Sequence, residues 1–135
     1  MGVVRNMGHI GIMVNDLDRA IESYTKGLGV VLEKRVENPD LKLRVGILRM
    51  GPLEIELLEF KDPELSIPKA IRADRPGLNH LCFEVHRLDA SLKELEARGF
   101  RVVDGFPRQG VHGRIAFVIP PHAPEERIEL LEVEP

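Results

Sequence analysis

Cysteine is nearly missing from this chain: Cys82 stands alone. A single thiol excludes an intrachain disulfide framework and a zinc site built on thiolates. No long basic run is present and the net charge is about −3, so nucleic acid is not an expected partner. No stretch approaches the roughly 18 apolar residues of a membrane helix, and no membrane role is expected. The N-terminal residues carry one arginine and no apolar signal core, which leaves a cytoplasmic location as the expectation. No segment is low in complexity.

What the chain does hold is a repeat. Its 135 residues, 43% hydrophobic and 30% charged, suit one globular domain over 1–135 with a core of its own. Within it the sequence says the same thing twice. His9 to Asp18 reads H-I-G-I-M-V-N-D-L-D, and His80 to Asp89 reads H-L-C-F-E-V-H-R-L-D. Each copy closes on I-E-L-L-E, at Ile55 to Glu59 and at Ile128 to Glu132. The histidines are 71 residues apart and Glu56 and Glu129 are 73 apart. A near-constant offset across a whole half is the mark of duplication.

Each half reads β-α-β-β-β. In the first, about 7–60, His9 to Val14 alternates as a strand does. Asn15 or Asp16 is placed to cap a helix, along which Leu17, Ala20, Ile21, Tyr24 and Leu28 recur at helical spacing. Gly27 and Gly29 end that helix. Val30 to Val36, Leu41 to Met50 and Leu53 to Phe60 read as strands, separated by Asn38-Pro39-Asp40 and Gly51-Pro52 turns. Residues 61–77 form a connector with a short helix. In the second half, about 78–133, Leu78 to Val85 is a strand. Leu88, Leu92, Leu95 and Ala97 mark a helix that Gly99 ends. Phe100 to Val103, Gly113 to Ile119 and Arg127 to Val133 complete the set, with a glycine-containing loop over 105–113. The fold class expected is α+β: two tandem modules forming a curved mixed sheet around a metal-binding cleft.

Side chains two apart on a strand share a face. Glu54, Glu56 and Leu58 therefore share one face, and Ile55, Leu57 and Glu59 the other. A twofold relation between the modules would bring His9, His80, Glu56 and Glu129 together. Two imidazoles and two carboxylates make an N2O2 set suited to a borderline divalent ion such as Co, Ni, Zn, Mn or Fe. Water could fill further positions, as a catalytic metal requires. The alternative is that each His is an ordinary strand residue and each Glu lies on a solvated face; recurrence at matching positions favours the metal.

Other residues carry less. Glu59 and Glu132 repeat but face away, and read as surface charge. Asp18 and Asp89 suit helix starts. Cys82 reads as a buried structural cysteine. Arg108, His112 and Arg114, in or just after the loop, are candidates to clamp a substrate carboxylate or phosphate, with solvated side chains as the equal alternative. For Lys42, Arg44 and Arg49 a plain surface role is favoured.

The paired modules and the His/Glu/His/Glu set resemble the vicinal oxygen chelate superfamily, which includes the glyoxalases. The resemblance runs from about Gly8 to Val133 and is greatest to the methylmalonyl-CoA epimerases. It rests on H-I-G-I-M-V-N-D-L-D-R-A-I, on G-P-L-E-I-E-L-L-E followed by G-L-N-H-L-C-F-E-V, and on P-R-Q-G-V-H-G-R-I-A-F. It implies His9, Glu56, His80 and Glu129 as metal ligands for one divalent ion (Co, Ni, Zn or Mn). It also implies a small acyl-CoA or thioester substrate, a homodimer, and isomerase chemistry. In that chemistry (R)- and (S)-methylmalonyl-CoA interconvert by proton abstraction to a metal-stabilised enolate, with Glu129 as one base and Glu56 or a metal-bound water as its partner. Two departures stand out. The family's H-P-K-S-T-G-G segment is replaced by Ile119 to Glu126, and Leu41 to Met50 holds no carboxylate. The stretch E-N-P-D-L-K-L also resembles bacterial glyoxalase I, so a lactoylglutathione lyase is the second reading and a non-enzymatic small-molecule binder the third.

Overall fold

Strand β1 (Asn6–Met13) buries every second residue from His9 onward, so His9, Gly11 and Met13 point inward. Asp16 follows the strand and caps helix α1 (Leu17–Glu22): its Oδ1 accepts the Arg19 N–H at 3.1 Å. Leu17 and Ile21 pack on Leu48 and Leu57 to form the first apolar cluster. The helix continues from Ser23 to Gly27 as a π-turn, with the Leu28 N–H bonded to the Ser23 carbonyl. The Ser23 and Thr25 hydroxyls donate to the Arg19 and Ile21 carbonyls, a competition with the backbone ladder that loosens the helical turn.

Three strands follow: β2 (Val31–Asn38), β3 (Leu43–Met50) and β4 (Leu53–Phe60). The strand expected from Leu41 starts two residues later. Pro39–Leu41 forms a 3-10 turn capped by the Asn38 side chain, and Lys42 adopts a left-handed conformation at φ 49°. The module's strand order is β2-β3-β4-β1. β1 and β4 run parallel, whereas β2, β3 and β4 are antiparallel neighbours. Helix α2 (Ser66–Ala70) is the short helix expected in the connector.

The second module repeats the plan. It comprises β5 (Gly77–Val85), α3 (Leu88–Ala97), β6 (Arg101–Val102), β7 (Arg108–Gln109), β8 (Arg114–Ile119) and β9 (Ile128–Glu132). Its order is β5-β9-β8-β6, with β5 and β9 parallel and β7 added to β8. β7 lies inside the segment read as a loop; two residues are too few to show alternation. Leu88, Leu92 and Leu95 of α3 close over Val85, Ala116, Val118 and Leu130. Burying each such leucine stabilises the fold by about 1.5–3 kcal/mol.

The structure, a computed structural model, describes residues 2–135. It is mixed α+β in two compact units: the residues up to Gly8 together with His80–Pro135, and His9–Asn79. The leading residues thus pack with the second module. Val3 joins its core, and the Arg5 N–H donates to the Glu84 carbonyl at 2.8 Å. At Gly8 an added Cβ would sit 3.0 Å from the Cys82 sulfur, so a larger residue there would crowd β5. Asn79 belongs to the first unit because its amide donates to the carbonyls of Ile71 and Arg72. Among the described residues no helix is long and apolar enough to cross a membrane.

Candidate metal centre

The parallel strand pairs set the geometry. In the first module Ile10 pairs with Ile55 and Gly11 with Glu56. In the second, Leu81 pairs with Ile128 and Cys82 with Glu129. His9 precedes Ile10 and His80 precedes Leu81, so each module sets one imidazole beside one carboxylate at the same register. His9 Nδ1 lies 3.4 Å from Glu56 Oε2, and His80 Nε2 lies 3.0 Å from Glu129 Oε1. All four residues are buried: His9 is 3% exposed, Glu56 4%, His80 5% and Glu129 7%. Phe117 braces His80 edge-on, with ring centroids 5.1 Å apart, and is itself the register neighbour of Glu129 on β8. A buried carboxylate next to a buried imidazole suits a divalent ion chemically, since charge in an apolar interior must be paired or coordinated.

Glu54 is the site residue that the repeat did not mark. It is buried and its Oε2 lies 3.9 Å from His9 Nδ1. The ligand atoms of His9, Glu54 and Glu56 all lie within 4.8 Å of one another.

Glu59 and Glu132, expected to be plain surface charge, have a structural task instead. Glu59 Oε2 accepts the Leu17 N–H at 3.0 Å, and Glu132 Oε2 accepts the Leu88 N–H at 2.9 Å. Each satisfies an orphan donor at the start of its module's helix. Arg44 bonds Glu59 and Asp18 in the first module. Arg114 takes the matching place in the second, bonding Asp89 at 2.8 Å and lying 3.7 Å from Glu132. Bonding to Arg114 holds the Asp89 carboxyl below its ordinary value, and bonding to Arg35 does the same for Asp18. Arg114 is also raised, chiefly by its bond to Asp89. The recurrence of Asp, Arg and Glu at similar offsets in the two halves was the available signal for this device.

Arg108 sits half-buried on β7 opposite Ile115. His112 is exposed in the turn before β8. Arg114 faces the start of α3 through Asp89. Lys42 lies 3.9 Å from Asp62. Cys82 is fully buried and forms no disulfide. In the segment 119–126, His122 and Glu126 form an exposed pair at 3.8 Å.

Residues 8–117 match the family model described as Glyoxalase/Bleomycin resistance protein/Dioxygenase superfamily. The chain belongs to that superfamily. Within it, the crystal structure of methylmalonyl-CoA epimerase from Mycobacterium tuberculosis is 34% identical with a TM-score of 0.82, over 100% of this chain and 92% of that one. Human mitochondrial methylmalonyl-CoA epimerase is 27% identical over 89% of this chain and 70% of its own. A Streptomyces coelicolor methylmalonyl-CoA epimerase variant, solved in complex with 2-nitronate-propionyl-CoA, is 26% identical with a TM-score of 0.76. That match covers 94% of this chain and 96% of that one. The α+β fold and the epimerase likeness read from the sequence both stand.

Proposed function

We propose that this protein is a divalent-metal-dependent epimerase acting on a malonyl-type acyl-CoA such as methylmalonyl-CoA. The observation that carries the reading is the buried His/Glu pair, repeated at one register in both modules. The likeness to methylmalonyl-CoA epimerases supports the substrate class. His9 with Glu56, and His80 with Glu129, are the imidazole and carboxylate donors that each module would offer a divalent ion. Such an ion would supply Lewis acidity toward the carbonyl oxygens flanking the reacting carbon.

The chain's own groups handle the proton. Glu129 takes the C2 proton on one face, and Glu56 serves the other face; a second donor is needed for the proton to return with inverted configuration. Burial lowers the local dielectric, so the charge that develops on the substrate responds strongly to nearby dipoles and charges.

Proton NMR of methylmalonyl-CoA in D2O with Co(II)-loaded protein tests this. The expected result is loss of the C2 proton signal, abolished by EDTA. No exchange, with cobalt demonstrably bound, would sink the CoA assignment. A glyoxalase I-like lyase is the second reading, supported by the stretch E-N-P-D-L-K-L from Glu37 to Leu43, which resembles glyoxalase I. Formation of lactoylglutathione from methylglyoxal and glutathione would select it. A protein that takes up no divalent ion would instead be a non-catalytic binder.

A further inference from the structure

The two modules part company where strand meets helix. At the offset of the histidines, Asn15-Asp16 before α1 becomes His86-Arg87 before α3. Asp16 caps its helix through Oδ1, whereas Arg87 makes no side-chain cap. Arginine is not a capping residue, and a cation has the wrong sign for that end of a helix. Glu132 takes the Leu88 N–H instead. A sequence breaks its own local rules in this way chiefly at functional positions.

A cavity of about 440 Å³ opens beside these two residues, and Arg5 lines it with them. That size lies in the range of small-molecule pockets, roughly 300–1,000 Å³. Its frame is tied down by backbone bonds. The Arg5 N–H donates to the Glu84 carbonyl on one side and the Val133 N–H to the Val85 carbonyl on the other, both at 2.8 Å. The Ser91 hydroxyl, in a residue only 6% exposed, donates to the Arg87 carbonyl at 2.6 Å. Among the described residues, the side chains of Arg5, His86 and Arg87 have no hydrogen-bond or ion-pair partner. Arg114, at the same end of α3, is bonded to Asp89. Glu94 is the one carboxylate side chain lining the cavity, and Arg98 holds its Oε2 at 3.4 Å. Two permanent cations and an imidazole thus share one opening in a chain whose net charge is −3. Like charges so placed repel one another until an anion enters.

The cavity does not belong to the candidate metal centre. Helix α3 packs on Val85, Ala116, Val118 and Leu130. Each is an odd number of residues from His80 on β5, Phe117 on β8 or Glu129 on β9, so alternation turns the metal-centre side chains to the other face of the sheet. We propose that the cavity binds the phosphoryl group of a small phosphate ester, with Arg5 and Arg87 gripping its oxygens and His86 donating to them. The guanidinium fork matches phosphate oxygens in pairs, which favours this group over a simple halide. The volume beyond the phosphate leaves room for the body of the ester against Val3 and Ala90.

Amide NMR titration of the full chain, without added metal, tests the proposal. The probes are inorganic phosphate, AMP and coenzyme A, with adenosine as the uncharged control. Phosphate and AMP should shift the amides of Arg5 and of residues 86–91, and adenosine should not. AMP affinity should fall about tenfold or more in Arg87→Ala and in Arg5→Ala, two exposed positions outside the apolar core. Coenzyme A moving the same amides, with the same loss in Arg87→Ala, would make a thioester carrier's phosphates the source. A response to AMP but not to coenzyme A would make the ligand a separate phosphate ester. Shifts from adenosine equal to those from AMP, no shift around the cavity at millimolar phosphate and AMP, or affinity unchanged in both variants would overturn the proposal. The titration involves neither metal nor turnover, so C2 exchange can fail while this binding stands, and the reverse.

Discussion

Four buried residues carry the proposed function, and their identities follow from the repeat. His9, Glu56, His80 and Glu129 recur in the sequence at matched offsets, and the strand register places each pair side by side. The mechanism gives Glu129 the proton transfer, so Glu129→Gln should cut C2 exchange by about 10²–10⁴-fold, read by the same NMR experiment. Turnover close to native in that variant, with metal still bound, would remove Glu129 from the role. Legibility at this scale was uneven. Alternation put Glu54 on the face of Glu56, but nothing in the sequence marks the slip at Glu33 that anchors it through Arg49. A bulge is a property of pairing between strands, and one strand's sequence does not record it.

At the scale of elements, the two modules solve the helix start alike, but with unequal support. α1 has the Asp16 side chain as well as Glu59. α3 begins after Arg87, which provides no side-chain cap, and depends on Glu132 reaching over from β9. Glu132→Ala should therefore destabilise by about 0.5–2 kcal/mol, and by more than Glu59→Ala does, in denaturant titrations. An equal or smaller loss would show that α3 has another cap.

The Asp89–Arg114 link adds a pH signature. A carboxyl lowered in the folded state stabilises it above the unfolded value, and that contribution is lost as pH falls through the folded value. The ordinary value is 3.8, so Asp89→Asn should melt below native protein at neutral pH. The gap should close as the pH drops below that value. A gap constant down to strong acid would show that the charge on Asp89 does not contribute.

The main strands and helices were legible because their periods of two and 3.6 are distinct. The π-turn at Ser23–Gly27 and the delayed start of β3 were not. Both arise from local side-chain and turn chemistry that leaves the apolar pattern unchanged.

For the whole molecule, the duplication accounts for two units built on one plan, each with its own aliphatic cluster. Leu92 is 6% exposed, and Leu92→Ala should cost about 2–5 kcal/mol, measured by chemical unfolding. The partition of the leading residues was not legible in the sequence, because it depends on the backbone bond from Arg5 to Glu84. Calorimetric titration of Co(II) into the native protein, His9→Ala and His80→Ala decides whether the repeated pairs are metal ligands. The native chain should bind cobalt, and each variant should lose most of that affinity while keeping its fold by circular dichroism. Affinity unchanged in either variant, or no binding by the native protein, would contradict the account.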